Sequence, residues 1–527
     1  MTATNTAGAP APKRKLRHRI PISLRQHWTL LVVFVTFVAI MATAFGNTRI
    51  RPYITGDASV IASEITDNIT GTVDLFDDSV SHEVLLDITD AEYQDMITSF
   101  QSTGEKKWIT ADLTIDDTFV NDVSVRLKGN STLRGVRGIG PGSEGFQPPE
   151  GMEIPEGFNP MDAMGEQASE DDPTSLPLLI SFNENEDGRA YQGMTELSVR
   201  PGSPVLNEAM SLSLTAETGQ VTQRYAYTVY SINDSATTTR LLLEHPDDGY
   251  ANSLSESDGY LYKADANSRF KYTGDDQAAY ADQFKQINAV DSGNLQPIIN
   301  FLKWIDTASD EEFDAHLADW VDVETFADYL ATQNLLVNGD DISGPGQNYY
   351  LWYDLDTEKI TVISWDLNLA MQGDAATGPH DTVGLSLPRL GGTGDTAPGA
   401  GMTLPEGMIP PERMTPPGNA GVSNEADAQS GQAKLPGMGG PPGLHASNAL
   451  KTRFLESDAF KLVYEDAYWE LFDRMYSGGL ASETLDRLTE SIPVSDGLSA
   501  EDLQSSVDEM RTWINQRATV LIEQRAD

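Results

Sequence analysis

The chain contains two kinds of hydrophobic pattern, and the first is an alternation of apolar and polar residues at every second position. Within residues 73–135 this alternation runs through "SHEVLLDIT", "WITADLTID" and "DVSVRLKG", which indicates half-buried strands. The helix predicted among them, "TDAEYQDMITSF", is capped by Thr89. Strands continue in residues 177–290, where "SPVLNEAMSLSLTAETG" predicts one further helix. We therefore expect a β-rich first part whose region 73–135 is sandwich-like.

The second pattern, with apolar residues every three or four positions, dominates the rest of the chain. It occurs in "NLQPIINFLKWIDTA" and "VETFADYLATQNLLVN" within residues 291–371, and again throughout residues 447–527. One hairpin is predicted between these helices, with arms "YYLWYD" and "ITVISWD" joined by "LDTEK". The sequence therefore predicts an α+β protein in which sheets precede helices.

Two stretches break both patterns. Residues 136–176 and 372–446 are rich in glycine and proline, as in "GIGPGSEGFQPPEG" and "LPGMGGPPG". Such composition does not support regular secondary structure. We expect both stretches to be surface insertions.

The N-terminal part predicts a membrane anchor. Residues 1–27 are basic and lack a core, so we expect a disordered cytoplasmic tail. The apolar run 28–46 is long enough to span a bilayer, and the preceding cations hold its N-terminal end inside. Residues 47–72 would then be a linker. The alternative is a cleaved signal peptide, for which "MATAFGNT" is a poor cleavage site. The resulting expectation is a single-pass protein of the cell membrane with its bulk extracytoplasmic.

Charge and composition exclude several classes of function. The formal net charge of −45 would repel phosphate backbones, so we expect no nucleic-acid partner. The chain has no cysteine, which removes disulfides, thiolate metal sites and cysteine nucleophiles. Its seven histidines are scattered without a metal-ligand spacing, so a zinc site is not indicated.

Oxygen-bearing side chains gather around the predicted hairpin. Asp340 and Asp341 close a helix, Asn348 opens the first strand, and Asp366 and Asn368 follow the second. A hairpin returns the end of its second strand to the start of its first, so Asp366 and Asn348 should be close. Such oxygens suit a hard cation such as Mg²⁺, and one remaining carboxylate could accept a hydroxyl proton. The alternative is that "NGDDISGPGQN" is only a turn between two elements.

Several strings in this order resemble the motif series of the spore-coat CotH family. They are "VRLKGNST", "YQGMTEL", "LLLEHPD", "YLYKAD", "VNGDD" followed by "GPGQNYYLWYD", and "VISWDLNLAM". That family is kinase-like and atypical. The resemblance implies a two-lobed kinase-like fold with an N-lobe over residues 177–290 and a C-lobe with the catalytic segment over 291–371. It also implies phosphate transfer from ATP, with Mg²⁺ or Mn²⁺, to Ser or Thr of a cell-surface or secreted protein.

The resemblance also assigns roles by position. Asp340 resembles the catalytic aspartate, Asp366 resembles the metal-binding aspartate, and Asn348 and Asn368 would support the metal. Glu208 resembles the acid that pairs with a nucleotide-binding lysine. The residues expected to bind nucleotide are Arg126, Lys128, Gly129, Asn130, Glu208 and Lys263.

One position departs from the family pattern. Where related chains carry a phosphate-binding lysine, this chain has "LPLLISF" with Leu178 and Leu179. Lys128, Lys263 or Arg200 could replace the missing cation. The alternative function is a catalytically inactive surface module, a pseudokinase that binds a partner of the cell envelope.

Overall fold

The computed structural model describes most of the chain after its first 64 residues, and the described residues belong to one compact unit, residues 59–527. The predicted tail, residues 1–27, and the predicted span, residues 28–46, lie outside them, as does most of each glycine- and proline-rich stretch. The described residues are 65–129, 132–133, 135–137, 168–266, 268–290, 293–383 and 448–526.

Strands fill the first half of the described residues and helices the second, which confirms the predicted α+β class. The strands are β1 (Asp67–Ile69), β2 (His82–Asp87), β3 (Ile109–Ile115), β4 (Thr118–Leu127), β5 (Leu178–Ser181), β6 (Arg189–Tyr191), β7 (Glu196–Val199), β8 (Tyr225–Ile232), β9 (Thr238–Glu244), β10 (Gly259–Ala264), β11 (Phe284–Gln286), β12 (Tyr349–Asp354) and β13 (Ile360–Ser364). The α-helices are α1 (Asp90–Thr103), α2 (Leu206–Glu217), α3 (Asp248–Ser253), α4 (Gln296–Thr307), α5 (Asp310–His316), α6 (Val323–Leu335), α7 (Ala449–Glu456), α8 (Lys461–Phe472), α9 (Leu480–Ser491) and α10 (Ala500–Ala526).

Seven strands form a closed barrel in the order β2-β3-β4-β5-β7-β9-β8. Six neighbouring pairs are antiparallel, and the barrel closes through the parallel pair β2–β8. Strands from residues 82–127 and 178–244 therefore share one core instead of forming a separate sandwich-like region. The predicted sandwich is corrected for a physical reason: alternation shows which face of a strand is buried, but not which strand pairs with which.

Helix α1 lies against this barrel and begins where its cap was predicted. The backbone N–H of Glu92 donates to Oγ1 of Thr89 over 3.3 Å, which satisfies one of the unpaired donors of the first turn. Met96, Ile97 and Phe100 on one face of α1 join the barrel core. The predicted capping residue is confirmed.

A second sheet carries the predicted hairpin. Its four strands are antiparallel in the order β11-β10-β12-β13. Tyr349 at the start of β12 pairs with Ser364 at the end of β13, so the predicted hairpin is confirmed. Asn348 and Trp365, which flank that pair, consequently lie at the same end of the sheet.

Helix α10 is fixed to the preceding helices by a fully buried arginine. The side chain of Arg517 is 0% exposed. Its Nε donates to the carbonyl of Leu335 over 3.3 Å, and its Nη2 donates to the carbonyl of Asn334 over 3.0 Å. Its Nη1 donates to the carbonyls of Ala375, over 3.1 Å, and Thr377. One guanidinium thus joins the end of α6 to the segment that follows the hairpin.

No helix among the described residues is both long enough and apolar enough to cross a membrane. The longest of them, α10, has 27 residues but carries charges such as Glu501, Asp508 and Arg511 along its length. On this finding the predicted single-pass membrane localisation is corrected and not retained. Residues 28–46, for which the span was predicted, are outside the part of the chain that the structure describes.

Candidate functional site

Asp340 lies at the centre of a tight turn between α6 and β12. It is 7% exposed. Its Oδ1 accepts a hydrogen bond from the backbone N–H of Gly346 over 2.6 Å, and its Oδ2 accepts one from the amide of Asn348 over 2.9 Å. The segment 338–348 is therefore a turn, and the turn is built around one buried carboxylate. The interpretation as a turn and the interpretation as a site of oxygen-bearing side chains each describe part of the structure.

Two glycines allow this turn to close on the carboxylate. A Cβ at Gly344 would lie 2.3 Å from the Cα of Asp340, and a Cβ at Gly346 would lie 2.3 Å from its Oδ2. Both distances are shorter than any real carbon contact, so a side chain at either position would push the loop away. Both glycines of "SGPGQN" are thus required because the backbone of the loop passes so close to Asp340.

Gly346→Ala is expected to lower stability by about 1 to 3 kcal/mol, because the new methyl group displaces the loop and breaks the bond to Asp340. That bond lowers the pKa of Asp340, so the variant should also have a higher pKa at this carboxyl. Chemical denaturation and NMR titration of the Asp340 carboxyl carbon would measure the two effects.

The matched control is Gly249→Ala in α3, where the nearest heavy atoms to a new Cβ are 3.2 Å away. This contact is tight but does not overlap, and alanine favours a helix over glycine, so the variant should be close to neutral. If Gly346→Ala is equally neutral, the glycine is not required for the turn.

The carboxyl of Asp340 titrates near neutral pH. Burial, together with the negative charges of Asp366 and Asp341, raises its pKa to about 7, although the N–H of Gly346 acts in the opposite direction. Because a general base works best when its pKa is near the working pH, Asp340 is suited to accept a proton. Because the charge of Asp366 contributes to this rise in pKa, the two carboxyl groups lie close enough for their charges to interact.

Asp341, the neighbouring carboxylate, has a different environment. Its Oδ1 accepts from the backbone N–H of Ser343 over 2.8 Å and from the Ser343 hydroxyl over 2.7 Å. Its Oδ2 forms an ion pair with Lys451 of α7. These contacts engage both oxygens, so Asp341 joins the turn to the C-terminal helices and leaves Asp340 as the reactive candidate.

Asp366 follows β13 and has a left-handed backbone with φ of +53°. Non-glycine residues adopt this conformation rarely, and such positions occur often at functional sites. Its Oδ1 pairs with Nη2 of Arg200 at 2.5 Å, and its side chain is 29% exposed. Burial acts to raise the pKa of Asp366, but the charges of Arg200, Lys128 and Lys263 outweigh it and hold the pKa below the ordinary value. Asp366 is therefore an ionised carboxylate that remains partly accessible.

Arg200 connects Asp366 to α2. Its Nε forms an ion pair of 2.7 Å with Oε2 of Glu208, whose side chain is 1% exposed. Burial raises the pKa of Glu208, although the charge of Arg200 acts in the opposite direction. The predicted acid thus has a cationic partner, but that partner is an arginine at the end of β7.

Cations surround the Asp366 end of the hairpin. The Nζ atoms of Lys128 and Lys263 lie 5.1 Å and 4.9 Å from the centre of the Trp365 ring. Burial and the charges of Arg126 and Lys263 lower the pKa of Lys106 to about 8. We call this group the basic cluster; its members are Lys106, Arg126, Lys128, Arg200, Lys263 and Lys285. In a chain with a net charge of −45, such a concentration of like charge favours an anionic ligand.

The predicted metal-site residues are only partly brought together. Asn348 contacts Asp340, and Asp366 is near enough to influence the pKa of Asp340. For Asn368 the structure gives a backbone role, because its carbonyl accepts from the amide of Asn207 over 2.6 Å. Within the described ranges no group of three or more His, Asp or Glu residues could hold a metal ion.

The predicted nucleotide-binding residues lie in three kinds of surroundings. Arg126, Lys128 and Lys263 belong to the basic cluster. Gly129, two residues after the end of β4, has a φ of +91°, a conformation that glycine adopts without strain. Asn130 lies outside the described residues.

Sequence reasoning did not select three residues that line this region. Ser198 and His245 contact the ammonium of Lys128, and Trp365 supplies the ring beneath both lysines. His245 lies within the string "LLLEHPD" and Trp365 directly precedes Asp366, so their positions in the motifs were a usable signal. Ser198 could be found only from strand register.

Comparison with known proteins gives a family. A search among curated proteins found no match. A family model described as "CotH kinase protein" matches residues 180–521, which include α2, the hairpin and the helices that follow. That match spans more than half of the chain, and the strings that resembled the family on sequence grounds fall largely within it. The chain therefore belongs to the CotH kinase family.

Proposed function

We propose that this protein transfers the γ-phosphoryl group of ATP to a Ser or Thr hydroxyl of a protein substrate. The basic cluster beside Asp366 is the observation that carries the proposal. A triphosphate would add negative charge beside Lys128 and Lys263, whose pKa burial and neighbouring cations lower, and Asp340 would supply a base nearby. Membership of a kinase family supports the same chemistry.

A two-lobed, kinase-like arrangement is part of this proposal. In it, the barrel forms one lobe and the second sheet with α4–α10 forms the other. Helix α2 connects them, because its apolar residues share a core with β8, β9 and those helices. Support comes from the chain of ion pairs in which Arg200, after β7, joins Glu208 of α2 to Asp366 after β13. In protein kinases an acid of the N-lobe helix and the metal-binding aspartate must likewise both be in place for activity.

In the proposed reaction Asp340 accepts the proton of the substrate hydroxyl. The oxygen then forms a bond to the γ-phosphorus as the bond to the β-γ bridging oxygen breaks, and ADP leaves. A base that titrates near 7 is ionised in a substantial fraction of molecules at neutral pH. The amide of Asn348 and the N–H of Gly346 orient the carboxylate.

The residues present also fit a divalent cation. Asp366 is ionised and partly exposed, and the repulsion between Asp340 and Asp366 would be relieved by positive charge between them. Asp366 with Asn348 or Asn368 would hold Mg²⁺ or Mn²⁺ through oxygen atoms. When bound, the metal would neutralise charge on the phosphates.

Millimolar MgATP is expected to raise the melting temperature of the purified protein, because a ligand that binds only the folded state stabilises it. At a ligand concentration 100 times Kd the gain is about 2.7 kcal/mol. Asp366→Ala should remove the metal-dependent part of the shift, which thermal scans with and without Mg²⁺ would separate.

Asp356→Ala is the matched control, since this exposed aspartate lies in the distal turn of the same hairpin. It should keep the full shift. A wild-type protein that shows no shift with MgATP would argue against nucleotide binding and hence against the proposed function.

A second candidate is a pseudokinase that binds a partner without transferring phosphate. Leu179 is the observation that favours it, because leucine supplies neither charge nor hydrogen bond where related chains have lysine. Nucleotide binding without any transfer to a mixed Ser/Thr peptide library would support this second function.

A further inference from the structure

We infer that two cations, Arg200 and Lys128, share the tasks that one strand lysine performs in protein kinases. That lysine pairs with the helix glutamate and also contacts the α- and β-phosphates. Here Arg200 takes the first task and Lys128 the second. The inference rests on the proposed function, since it names the residue that meets the nucleotide phosphates.

The register of the barrel shows what surrounds Leu179, the position near which the resemblance to the family implies a lysine. Leu178 and Ile180 belong to the core inside the barrel, so Leu179 between them faces the opposite side of β5. Leu179 pairs with Arg126 of β4 on one side and with Ser198 of β7 on the other. Cross-strand partners point to the same face, so Arg126, Leu179 and Ser198 form one row on the outside of the barrel.

Lys128 brings its charge to this row from the neighbouring strand. It comes two positions after Arg126, and its backbone N–H donates to the carbonyl of Pro177 over 2.9 Å, which continues the pairing of β4 with β5. Lys128 is thus a diagonal neighbour of Leu179, within reach for a long side chain. Its ammonium donates to Oγ of Ser198, the direct partner of Leu179. The Lys128 side chain therefore lies beside the position where the strand lysine is missing. Burial lowers its pKa well below the ordinary value, and a phosphate beside it would favour the charged form.

The partners of Lys128 are neutral. Besides Ser198 they are Nδ1 of His245 at 3.2 Å and the ring of Trp365. Because the ammonium can only donate, Nδ1 of His245 accepts, and its Nε2 carries the proton and faces Oε2 of Glu196 at 3.6 Å. Burial and the nearby cations, Lys128 first among them, lower the pKa of His245 well below its ordinary value, which keeps the ring neutral. Within the described residues no carboxylate forms an ion pair with Lys128.

Arg200 is in the opposite situation, because it is bound to two carboxylates. Its Nε is held by Glu208 and its Nη2 by Asp366, and its side chain is 12% exposed. Releasing it toward a phosphate would leave the buried Glu208 unpaired, which is unfavourable. Arg200 therefore serves the pairing task, and the cation left for phosphate is Lys128.

The test is calorimetric titration of the full chain with MgATP, MgADP and adenosine. Lys128→Met should weaken ATP and ADP binding by roughly ten- to a hundredfold, the value of one contact to a charged group. Adenosine carries no phosphate, so its affinity should not change. Lys128→Arg keeps the charge, so it should weaken ATP binding less than Lys128→Met does. Lys271→Met, which removes an exposed lysine, is the control and should leave all three affinities unchanged.

A rescue variant tests the assignment directly. Leu179→Lys placed in the Lys128→Met background should recover most of the lost ATP affinity, since it restores a cation beside Ser198. Arg200→Met should instead lower the melting temperature, and Lys128→Met should not.

Three outcomes would overturn the inference. If wild-type protein binds no ATP, the proposed function fails and the inference fails with it. If wild type and Lys128→Met bind ATP equally, only the inference fails. If Lys128→Met weakens adenosine as much as ATP, the lysine supports the pocket as a whole and does not contact phosphate.

Discussion

Asp340→Asn is expected to lower the rate of phosphoryl transfer by a factor of about 10² to 10⁴, the range that general-base catalysis contributes. Asparagine fits the same turn and can still accept from Gly346 or Asn348, but it cannot take a proton. ATP affinity should change little, because the cations that meet the phosphates are elsewhere. Steady-state kinetics on a mixed Ser/Thr peptide library, together with ATP titration, would measure both.

The pH dependence of the wild type should identify the same group. The base acts only when ionised, so kcat/KM should rise with pH through the pKa of Asp340, which is about 7. Stability should move in the other direction. A carboxyl whose folded pKa is raised disfavours the folded state once it ionises, so stability is lost as pH rises between roughly 4 and 7. Asp340→Asn lacks this loss, so at pH 8 it should melt no lower than the wild type.

Asp341→Asn is the matched control, because it changes the adjacent residue in the same way. It breaks the pair with Lys451, so it should lower the melting temperature, in contrast to Asp340→Asn. If Asp340→Asn keeps more than a tenth of the activity, or destabilises the protein as much as Asp341→Asn does, Asp340 is not the base.

Arg517→Met should be the most destabilising of the substitutions considered, by at least about 3 kcal/mol. Methionine fills a similar volume but cannot donate, so the carbonyls of Ala375 and Thr377 would lose their donor. The carbonyls of Leu335 and Asn334 would each lose one of two donors. Each unsatisfied buried polar group costs on the order of 1 to 3 kcal/mol, and relaxation or water recovers part of the sum. Urea unfolding followed by circular dichroism would measure the loss.

Arg525→Met on the same helix provides the comparison. Arg525 forms a surface ion pair of 2.7 Å with Asp473, and the two side chains are 45% and 50% exposed. Exposed pairs of this kind contribute about 0 to 1 kcal/mol, so this variant should unfold almost like the wild type. Equal unfolding midpoints for the two variants would contradict a structural role for Arg517.

The local part of the site could be predicted from the sequence, because a hairpin leaves few choices. Once "YYLWYD" and "ITVISWD" are paired, Asn348 and Asp366 must lie at one end of the sheet, and the structure places them there. The contact between Asn348 and Asp340 follows from the short loop that joins them. When the connecting loops are short, residues close in sequence are also close in space. The positions of these side chains could therefore be predicted without knowing any long-range contact.

Longer connections did not permit such inference. Closure of the barrel depends on β2 pairing in parallel with β8, far along the chain, and alternation carries no signal for that choice. The sequence offered Lys128, Lys263 and Arg200 as replacements for the missing cation, and only the fold shows that Arg200, at the end of β7, is the one that pairs with Glu208. Ser198 could not be predicted for the same reason, because only the pairing of β5 with β7 places it beside Leu179 and within reach of Lys128.

The order of strands in the barrel also sets where this chain can be divided. The stretch that matches the family begins at Ile180, within β5, whereas β2, β3 and β4 precede it. A fragment beginning at residue 180 would expose the backbone donors and acceptors of β5 and β8 that β4 and β2 cover. Uncovered strand edges promote aggregation by pairing with other chains. The same fragment would lack Arg126 and Lys128, so it would lose part of the basic cluster that is proposed to bind nucleotide.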